Sequence, residues 1–507
     1  MFIRKKQNKS GAISIQVIDK SSGIYRVRKS LGSAKNEDEI KKLEELANDY
    51  IESVTKQGKL NLGFSEDASF VKNIKEGFQK FILIGPELVL GKLFDDIGYN
   101  IIQDNLFRHL VITRLVYPGS KLKTVDYLIR YKGIYSNKDR IYRYMDKFNK
   151  QHQQTIIDHT FHHTKKMQND TISIAFYDVT TLYFEASDED DLRKAGFSKD
   201  GKAQHPQILL ALLVSLDGHP LAYEVFEGAM FEGHTFIPVI QTFKKKYKIE
   251  NLIVVADAGL LSSDNIREMI ALNYPFILGG RIKNESETMK KQILNHTYAD
   301  GTTITFQKEN KIRLIVNYSA KRAEKDEHNR KKGMQKLEKK IKSGKISKDK
   351  ITNRGYNKYL IIKNKIEAEI NFELFKEDGK WNGLKGYVSN SNLTEQEILD
   401  NYKHLWAIEK AFRISKTDLR VRPIYHRLER RIKTHICLAF CSYKLYKELE
   451  RFLKNGKSEY SVEQVLTILK SIFLVQVQLP MSKASTKILI PTDEDQKKVL
   501  DIFKIPY

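Results

Sequence analysis

The stretch IAFYDVTTLYFE, residues 174–185, places an aspartate, Asp178, directly after the apolar run Ile172–Tyr177. The apolar run predicts a buried strand. An ionised carboxylate beside the core of a sheet is costly unless something compensates its charge. We therefore expect Asp178 to be paired, to lie at a strand mouth in water, or to hold a metal ion.

The same arrangement of an apolar strand followed by an acid recurs at NLIVVAD, which ends on Asp257. Around these two acids the sequence predicts three strands, a helix, a strand, a helix and a last strand, which is the order of a mixed α/β sheet. Ligands bind at the strand ends on one side of such a sheet. Asp178 and Asp257 are therefore predicted to meet there, where a divalent cation would relieve their repulsion.

A third carboxylate is offered by the segment that runs from Leu393 to Pro423, which is predicted to be helical. Tyr402, Glu409 and Lys416 are seven residues apart, and this spacing returns each to nearly the same face of a helix. Mg²⁺ takes one or two protein carboxylates together with phosphate and water. The helix therefore presents one metal ligand among candidate ligands for phosphate, which include Trp406, Arg413 and Arg420.

The composition points to a polyanionic partner. The chain of 507 residues carries 87 Lys and Arg against 63 Asp and Glu, a formal net charge of +24. Such an excess favours nucleic acid, although a generally basic proteome would produce it too. No apolar run approaches the roughly 20 residues of a membrane span, and the basic N-terminus lacks the apolar core of a signal peptide. We expect a cytoplasmic, nucleoid-associated protein.

The regions outside the predicted sheet carry weaker signals. Basic helices over 105–148 are compatible with a DNA-binding module and with any other helical domain. The lysine-rich stretch Ala320–Arg354 is either a solvated charged arm or a DNA-facing patch. The predicted organisation is a β-hairpin (1–35), a helical and probable DNA-binding region (36–170), the first part of the core (171–282), a β-rich insertion (283–398), the second part of the core (399–450) and a helical C-terminal region (451–507).

Together these residues resemble a DDE transposase of bacterial insertion sequences, in the group with the signature Y-(2)-R-(3)-E-(6)-K. Asp178 in YDVTTLYFE and Asp257 in VVADAGLLS match the first two acids of that family. Tyr402, Glu409 and Lys416 match its tyrosine, glutamate and lysine at the correct spacing. GHTF, residues 233–236, is similar to the Gly-Asn-Thr stretch of the family.

One residue departs from the signature, because Leu405 stands where the family has arginine. Arg413 is our candidate for the phosphate contact that this arginine would make. The resemblance is specific over about 171–282 and 380–445.

The resemblance implies an RNase H-like mixed sheet core, interrupted by a β-rich insertion and preceded by a mainly helical N-terminal region. It implies cleavage and strand transfer at the ends of an insertion sequence, with Mg²⁺ or Mn²⁺ as cofactor. Double-stranded DNA of the element ends and the target would be the partner, bound by a homodimer in the synaptic complex. The implied metal ligands are Asp178, Asp257 and Glu409, and the implied DNA contacts are Tyr402, Arg413, Lys416 and Arg420.

Two other functions remain open from the sequence. One is a non-catalytic, transposon-derived DNA-binding protein, against which the presence of all three acids argues. The other is a stand-alone metal-dependent nuclease of the same fold. Inverted repeats flanking the gene would distinguish a transposase from both.

Overall fold

The computed structural model describes residues 1–55, 71–72, 75–198, 201–260, 262–343, 355–363, 367–479, 482–490 and 493–506. Predictions that fall between these ranges, including the end of the lysine-rich stretch Ala320–Arg354, lie outside the described residues. The chain divides into two compact units, of which the first comprises Met1–Lys80 and Val475–Ile488, and the second Phe81–Leu474 and Leu489–Tyr507.

The first unit contains a three-stranded antiparallel sheet with a helix packed against it. The hairpin expected near the N-terminus is present and is extended by one further strand. Its turn closes where the amide of Gly23 donates to Lys20 O at 3.0 Å. The small core contains Ile15, Val17 and Ile40. The elements are β1 (Phe2–Gln7), β2 (Ile13–Asp19), β3 (Arg26–Ala34) and α1 (Glu37–Thr55).

The N-terminal part of the second unit is mainly helical among the described residues, as the sequence predicts. Polar residues begin most of these helices by accepting a backbone N–H, and Ser120 does so from Lys123 N at 3.3 Å. After strand β4 (Phe78–Leu83) and a π-helical turn (Glu87–Gly91) come the helices α2 (Lys92–Ile97), α3 (Asn105–Val116), α4 (Lys121–Lys132), α5 (Lys138–Lys147) and α6 (Lys150–Met167).

An eight-stranded mixed sheet forms the centre of the second unit. Its order is β10 (Thr303–Gln307), β11 (Arg313–Tyr318), β14 (Leu384–Ser389), β9 (Phe276–Gly280), β8 (Ile253–Ala256), β5 (Ile174–Tyr183), β6 (Gln207–Ser215) and β7 (Pro220–Glu227). Strands β5, β6 and β7 form an antiparallel meander, and β8 and β9 then run parallel to β5. This confirms the predicted RNase H-like arrangement. The elements are β5 (Ile174–Tyr183), β6 (Gln207–Ser215), β7 (Pro220–Glu227), α7 (Gly233–Tyr247), β8 (Ile253–Ala256), α8 (Ser263–Ala271) and β9 (Phe276–Gly280).

The predicted insertion, residues 283–398, contains both helices and strands. It is part of the core, because three of its strands extend the central sheet beyond β9. The lysine-rich stretch, where it is described, is a helix of 23 residues. The elements are α9 (Glu287–Leu294), β10 (Thr303–Gln307), β11 (Arg313–Tyr318), α10 (Ala320–Lys342), β12 (Leu360–Lys363), β13 (Glu367–Ile370), α11 (Phe372–Gly379) and β14 (Leu384–Ser389). The domain boundaries given above stay predictions.

The segment that was expected to form one helix up to Pro423 is broken twice, so that prediction is wrong in this respect. His404 N bonds Asn401 O at 3.0 Å, an i to i−3 bond that tightens the chain after Tyr402. Leu419 N bonds Ile414 O at 2.9 Å, an i to i−5 bond that widens it. The elements are α12 (Glu395–Lys403), α13 (Trp406–Arg413), a π-helical turn (Ile414–Asp418) and α14 (Glu429–Asn455).

Two layers of helices cover the sheet. Phe176, Leu182 and Val255 belong to a core shared with α13 and α14, and we call this side the α14 face. Alternate residues, such as Tyr177, pack in a second core with α7. The chain ends in α15 (Val462–Leu469), β15 (Phe473–Gln478), β16 (Ser485–Ile490) and α16 (Glu494–Ile502). Among the described residues, no helix combines the length and apolarity that crossing a bilayer requires.

Candidate active site

The two strand-borne acids stand side by side at the centre of the sheet. Strands β5 and β8 are parallel neighbours whose last paired residues are Tyr177 and Ala256. Asp178 and Asp257 directly follow this pair, on strands that lie about 4.8 Å apart in such a sheet. The structure thus brings together the two acids that the sequence predicts to meet.

Both acids belong to the α14 face. Tyr177 and Ala256 pack on the opposite side of the sheet, and successive side chains of a strand alternate between faces. Asp178 is half-buried and Asp257 is exposed. The pair therefore lies on the face that α13, the helix of Glu409, also covers by packing on β5 and β6.

Asp178 does not end its strand, which corrects the sequence interpretation. Strand β5 continues to Tyr183, and this extension pairs with β6. Strand β8, in contrast, stops at Ala256. Asp178 thus lies at a strand mouth because the neighbouring strand β8 ends there. Its own strand, β5, continues and supports it rigidly. Asp257 Oδ1 accepts the Gly259 amide at 2.8 Å, which holds its carboxylate at the turn after β8.

Tyr402 closes the adjacent position of the same face. Gly279 on β9 is next in register to Asp257, and a Cβ added there would lie 2.5 Å from the Tyr402 hydroxyl. Glycine is therefore required where the ring packs. Tyr402 is buried, and burial raises the pKa of its hydroxyl, with further contributions that include the charges of Asp257 and Glu409. Tyr402 therefore packs beside Asp257 and supports the site formed by Asp178 and Asp257, which we call the acid site.

Glu409 is exposed on α13 and lies within electrostatic reach of β14. Burial lowers the pKa of Lys385, the charge of Arg322 lowers it further, and Glu409 acts in the opposite direction. The Lys385 ammonium lies 4.6 Å from the centre of the Tyr402 ring. Lys385, a cation that the sequence reasoning did not select, thus lies beside Tyr402 and near Glu409, and a second such cation, Arg322, lies near Lys385.

The three carboxylates do not converge in this structure. Within the part of the chain that the structure describes, no group of three His, Cys, Asp or Glu side chains is close enough to hold a metal ion. Asp178 and Asp257 provide two neighbouring hard oxygen ligands on one face, and that donor set fits Mg²⁺. Glu409 is on the same side of the sheet but stands apart from the pair.

The predicted DNA contacts after Arg413 do not share one face with Glu409, because the π-helical turn at Ile414–Asp418 shifts Lys416 and Arg420 around the helix axis. Lys416 is half-buried beside Thr180 and Leu182 of β5. Arg413 lines a cavity that also contains Asp418, and Arg420 lines a different one. The seven-residue spacing therefore overstates how close these cations are to one another.

The residues that sequence reasoning missed lacked a local signal. Lys385 and Tyr387 are two residues apart in the strand LKGYVS and so share one face, which was readable from the two-residue period of a strand. Its position beside the acids depends on β14 pairing with β9, more than one hundred residues earlier in the chain. No spacing within either segment predicts this pairing.

The fold and the site define an RNase H-like protein with a carboxylate pair at a strand mouth. The chain belongs to the transposase DDE domain family, whose model matches residues 149–445, more than half of its length. The matched region includes all three predicted acids.

Solved structures show more distant likenesses. One is a piggyBac transposase synaptic complex with hairpin DNA, at 10% identity and a TM-score of 0.38, covering 81% of this chain and 76% of that chain. Another is a Mos1 transposase paired-end complex with the left transposon end, at 12% identity and a TM-score of 0.16, covering 31% and 53%. A search of the curated proteins finds no match.

Proposed function

We propose that this protein is a DDE transposase of a bacterial insertion sequence, which cleaves DNA at the element ends and joins it to a target. The observation that carries the proposal is the placement of Asp178 and Asp257 in register on parallel strands of an RNase H-like sheet. Membership of the transposase family supports the reaction class. The match of Tyr402, Glu409 and Lys416 to the family signature supports the narrower group.

Asp178, Asp257 and Glu409 would hold Mg²⁺ or Mn²⁺. A divalent ion bound there would supply charge for activating a hydroxyl nucleophile and for stabilising the leaving oxygen. Asp178 and Asp257 bring two carboxylates to one place on the rigid sheet. Glu409, on the helix that packs on β5 and β6, would be the third ligand of the set. Tyr402 would keep α12 against Gly279 and so support that arrangement.

The proposed partner is double-stranded DNA, bound by a homodimer that pairs two element ends in the cytoplasm. The net charge of +24 supports a polyanionic partner. Lys385 is within electrostatic reach of Glu409, where a cation would position a phosphate that flanks the reacting one without reading bases.

The decisive experiment is cleavage and joining of a labelled duplex that carries the inverted repeat found beside the gene. Asp178→Asn, Asp257→Asn and Glu409→Gln are each expected to abolish cleavage in Mg²⁺ while DNA binding persists. Asp217→Asn is the matched control, since Asp217 is an exposed acid in the turn between β6 and β7, at the other end of the same sheet.

Each outcome assigns a function. Loss of cleavage in the three variants, with joining by the wild-type chain, supports the transposase. Cleavage without joining would indicate a nuclease, and binding without cleavage a non-catalytic DNA-binding protein. Near wild-type cleavage by any of the three variants would remove that residue from the site.

A further inference from the structure

A second cationic site lies in the same unit, away from the carboxylate pair. A pocket of about 360 Å³ opens between the turn from α3 to α4 and the segment that follows the π-helical turn at Ile414–Asp418. Among the described residues, its lining includes two imidazoles and no carboxylate, together with the cations Arg114, Lys121, Lys123, Arg420 and Arg422.

Two of these cations are built into the interior. Arg114 and Lys121 are each only 6% exposed. In the described part of the chain, neither forms an ion pair with a carboxylate. Arg114 donates to Leu419 O at 3.2 Å and Arg420 O at 3.3 Å, and its second terminal nitrogen is 3.1 Å from His435 Nδ1. Every partner of this guanidinium is therefore neutral.

The imidazole of His435 cannot compensate the charge of Arg114. His435 Nε2 lies 3.0 Å from Val421 O, so Nε2 donates to that carbonyl and Nδ1 accepts from Arg114. Burial lowers the pKa of His435 well below its ordinary value, and the positive charge of Arg114 lowers it further. The ring is therefore neutral, and the arrangement holds the segment at Leu419–Val421 in place.

Electrostatic strain is concentrated at the two buried cations. Burial lowers the pKa of Arg114 to about 10. Burial also lowers the pKa of Lys121 well below its ordinary value, and Arg114 contributes in the same direction. Buried charges are normally paired, because an unpaired one is expensive. An anion in the pocket would supply the missing partner for both.

The backbone favours an anion at the same place. Lys121 is the first residue of α4, a helix of 12 residues whose cap is Ser120. The N–H groups at the beginning of a helix point towards an anion and carry a partial positive charge. The cavity, the two buried cations and the helix N-terminus therefore converge on one kind of ligand.

We propose that this pocket binds a phosphate group of a DNA strand whose reacting phosphate lies at the carboxylate pair. The proposal rests on the proposed transposase function. The pocket is coupled to the catalytic strand, because Ile424 N donates to Tyr183 O at 3.0 Å. Tyr183 is five residues beyond Asp178 on β5, or about 17 Å along the strand. That separation allows one strand of DNA to occupy both sites.

The first test measures DNA binding of the full chain across a salt series from about 50 to 200 mM, in EDTA and with a generic duplex. Lys121→Gln is expected to make the slope of log K against log[salt] shallower by about 1 and to weaken all sequences alike. Lys245→Gln, which removes an exposed lysine of α7, is the control and leaves the slope unchanged. Lys123→Gln, at the exposed mouth of the pocket, replaces Lys121→Gln if that variant does not fold.

The second test separates DNA from free phosphate. Inorganic tripolyphosphate, compared with NaCl at equal ionic strength, is added to the full chain without DNA, and Tm is measured. A higher Tm in the wild type that is lost in Lys121→Gln supports phosphate binding by the pocket. An unchanged salt slope in Lys121→Gln overturns the assignment to DNA. An unchanged slope together with no difference in Tm overturns the anion site altogether.

Failure of this proposal and failure of the transposase function would look different. A chain that cleaves element ends in Mg²⁺, while Lys121→Gln keeps the wild-type salt slope, refutes the pocket alone. If Lys121→Gln flattens the salt slope but the wild-type chain never cleaves DNA, the transposase function is refuted and the phosphate pocket is not.

Discussion

The two parts of helix α14 treat buried charge in opposite ways. Towards its C-terminus, the buried ammonium of Lys444 lies 2.8 Å from Glu448 Oε1, and Arg451 lies 2.9 Å from Glu448 Oε2. Near its N-terminus, His435 faces Arg114 in a pocket that is lined by cations and no acid. The same helix therefore carries one buried cluster that is complete and one that is not.

The difference separates a structural role from a binding role. Lys444 and Glu448 are 0% and 1% exposed, and Thr164 accepts a further hydrogen bond from Lys444 at 2.9 Å. The buried charges of this cluster therefore compensate one another within the chain. Arg114 and Lys121 are nearly as buried, but no described residue pairs either of them with an acid, so the proposed phosphate would be their counter-ion. A buried cation thus indicates a ligand only when its counter-ion is absent.

The largest effect is expected from breaking the complete cluster. Glu448→Gln keeps the shape of the side chain but leaves Lys444 buried without its carboxylate. Removing one partner of a buried pair costs about 3–5 kcal/mol. We expect the free energy of unfolding to fall by that amount in urea titrations. Glu459→Gln is the control, because Glu459 is 68% exposed in its pair with Lys498 and such pairs contribute about 0–1 kcal/mol.

A loss for Glu448→Gln that equals the loss for Glu459→Gln would contradict the distinction between the two parts of α14. It would show that the chain tolerates an unpaired Lys444, and the unpaired state of Lys121 would then indicate nothing.

Acid should destabilise the complete cluster through His219. Burial lowers the pKa of His219 to about 3, and the positive charge of Lys444 contributes to that shift. Lys447 acts in the same direction, whereas Glu448 opposes it. In the unfolded chain His219 is protonated as the pH falls below about 6.5, whereas in the folded chain it stays neutral down to about pH 3. Stability is therefore lost as the pH falls below about 6.5, by about 1.4 kcal/mol per pH unit for this one group.

Unfolding measured between about pH 5.5 and 4.5 checks this expectation, because there the unfolded histidine is mostly protonated. His219→Gln should reduce the slope of stability against pH by the contribution of one proton. His234→Gln, at an exposed imidazole of α7, is the control. An identical slope in wild type and His219→Gln would mean that His219 is charged in the folded chain.

The incomplete cluster should respond in the opposite direction. Lys121→Met removes a buried cation that has no carboxylate partner, so the unliganded chain is expected to become more stable. An unsatisfied buried polar group costs about 1–3 kcal/mol, which sets the size of the gain. Urea unfolding without DNA or phosphate measures it, with Lys245→Met on exposed α7 as control. A loss of stability would show that Lys121 contributes to the fold.

The sequence predicted the parts of the site that depend on local pattern. Apolar runs that end in Asp178 and Asp257 identified two neighbouring strands, because burial and strand period are local properties. The sequence around Tyr402, Glu409 and Lys416 predicted helical structure, but not its two breaks. Those breaks depend on how α12 and α13 pack against the sheet, and packing overrides a uniform helical period.

The cationic pocket could not be predicted in this way. Arg114 and His435 are 321 residues apart in sequence, and each occurs in a helix whose pattern is that of an ordinary buried element. Arg420 was selected as a DNA contact for its distance along a helix from Glu409. The structure keeps it as a candidate for another reason, since it lines the pocket with Arg114.

The smallest effect is expected from a comparison of Arg420 with Arg413, two exposed arginines of the segment that follows α12. Arg413 lines a cavity whose charged side chains are the acids Asp418, Glu450 and Glu463 and the cations Lys410 and Lys454, so acids as well as cations lie near its charge. Arg420 lines the pocket with Arg114 and Lys121, whose charged lining residues are all cations among those described. A phosphate contact contributes about one unit to the slope of log K against log[salt]. Arg420→Gln should therefore flatten the slope for DNA binding by about 1, whereas Arg413→Gln should leave it unchanged. Equal slopes in the two variants would show that nearby acids do not determine which of these arginines contacts DNA phosphate. The comparison between compensated and uncompensated cations would then not extend to the surface.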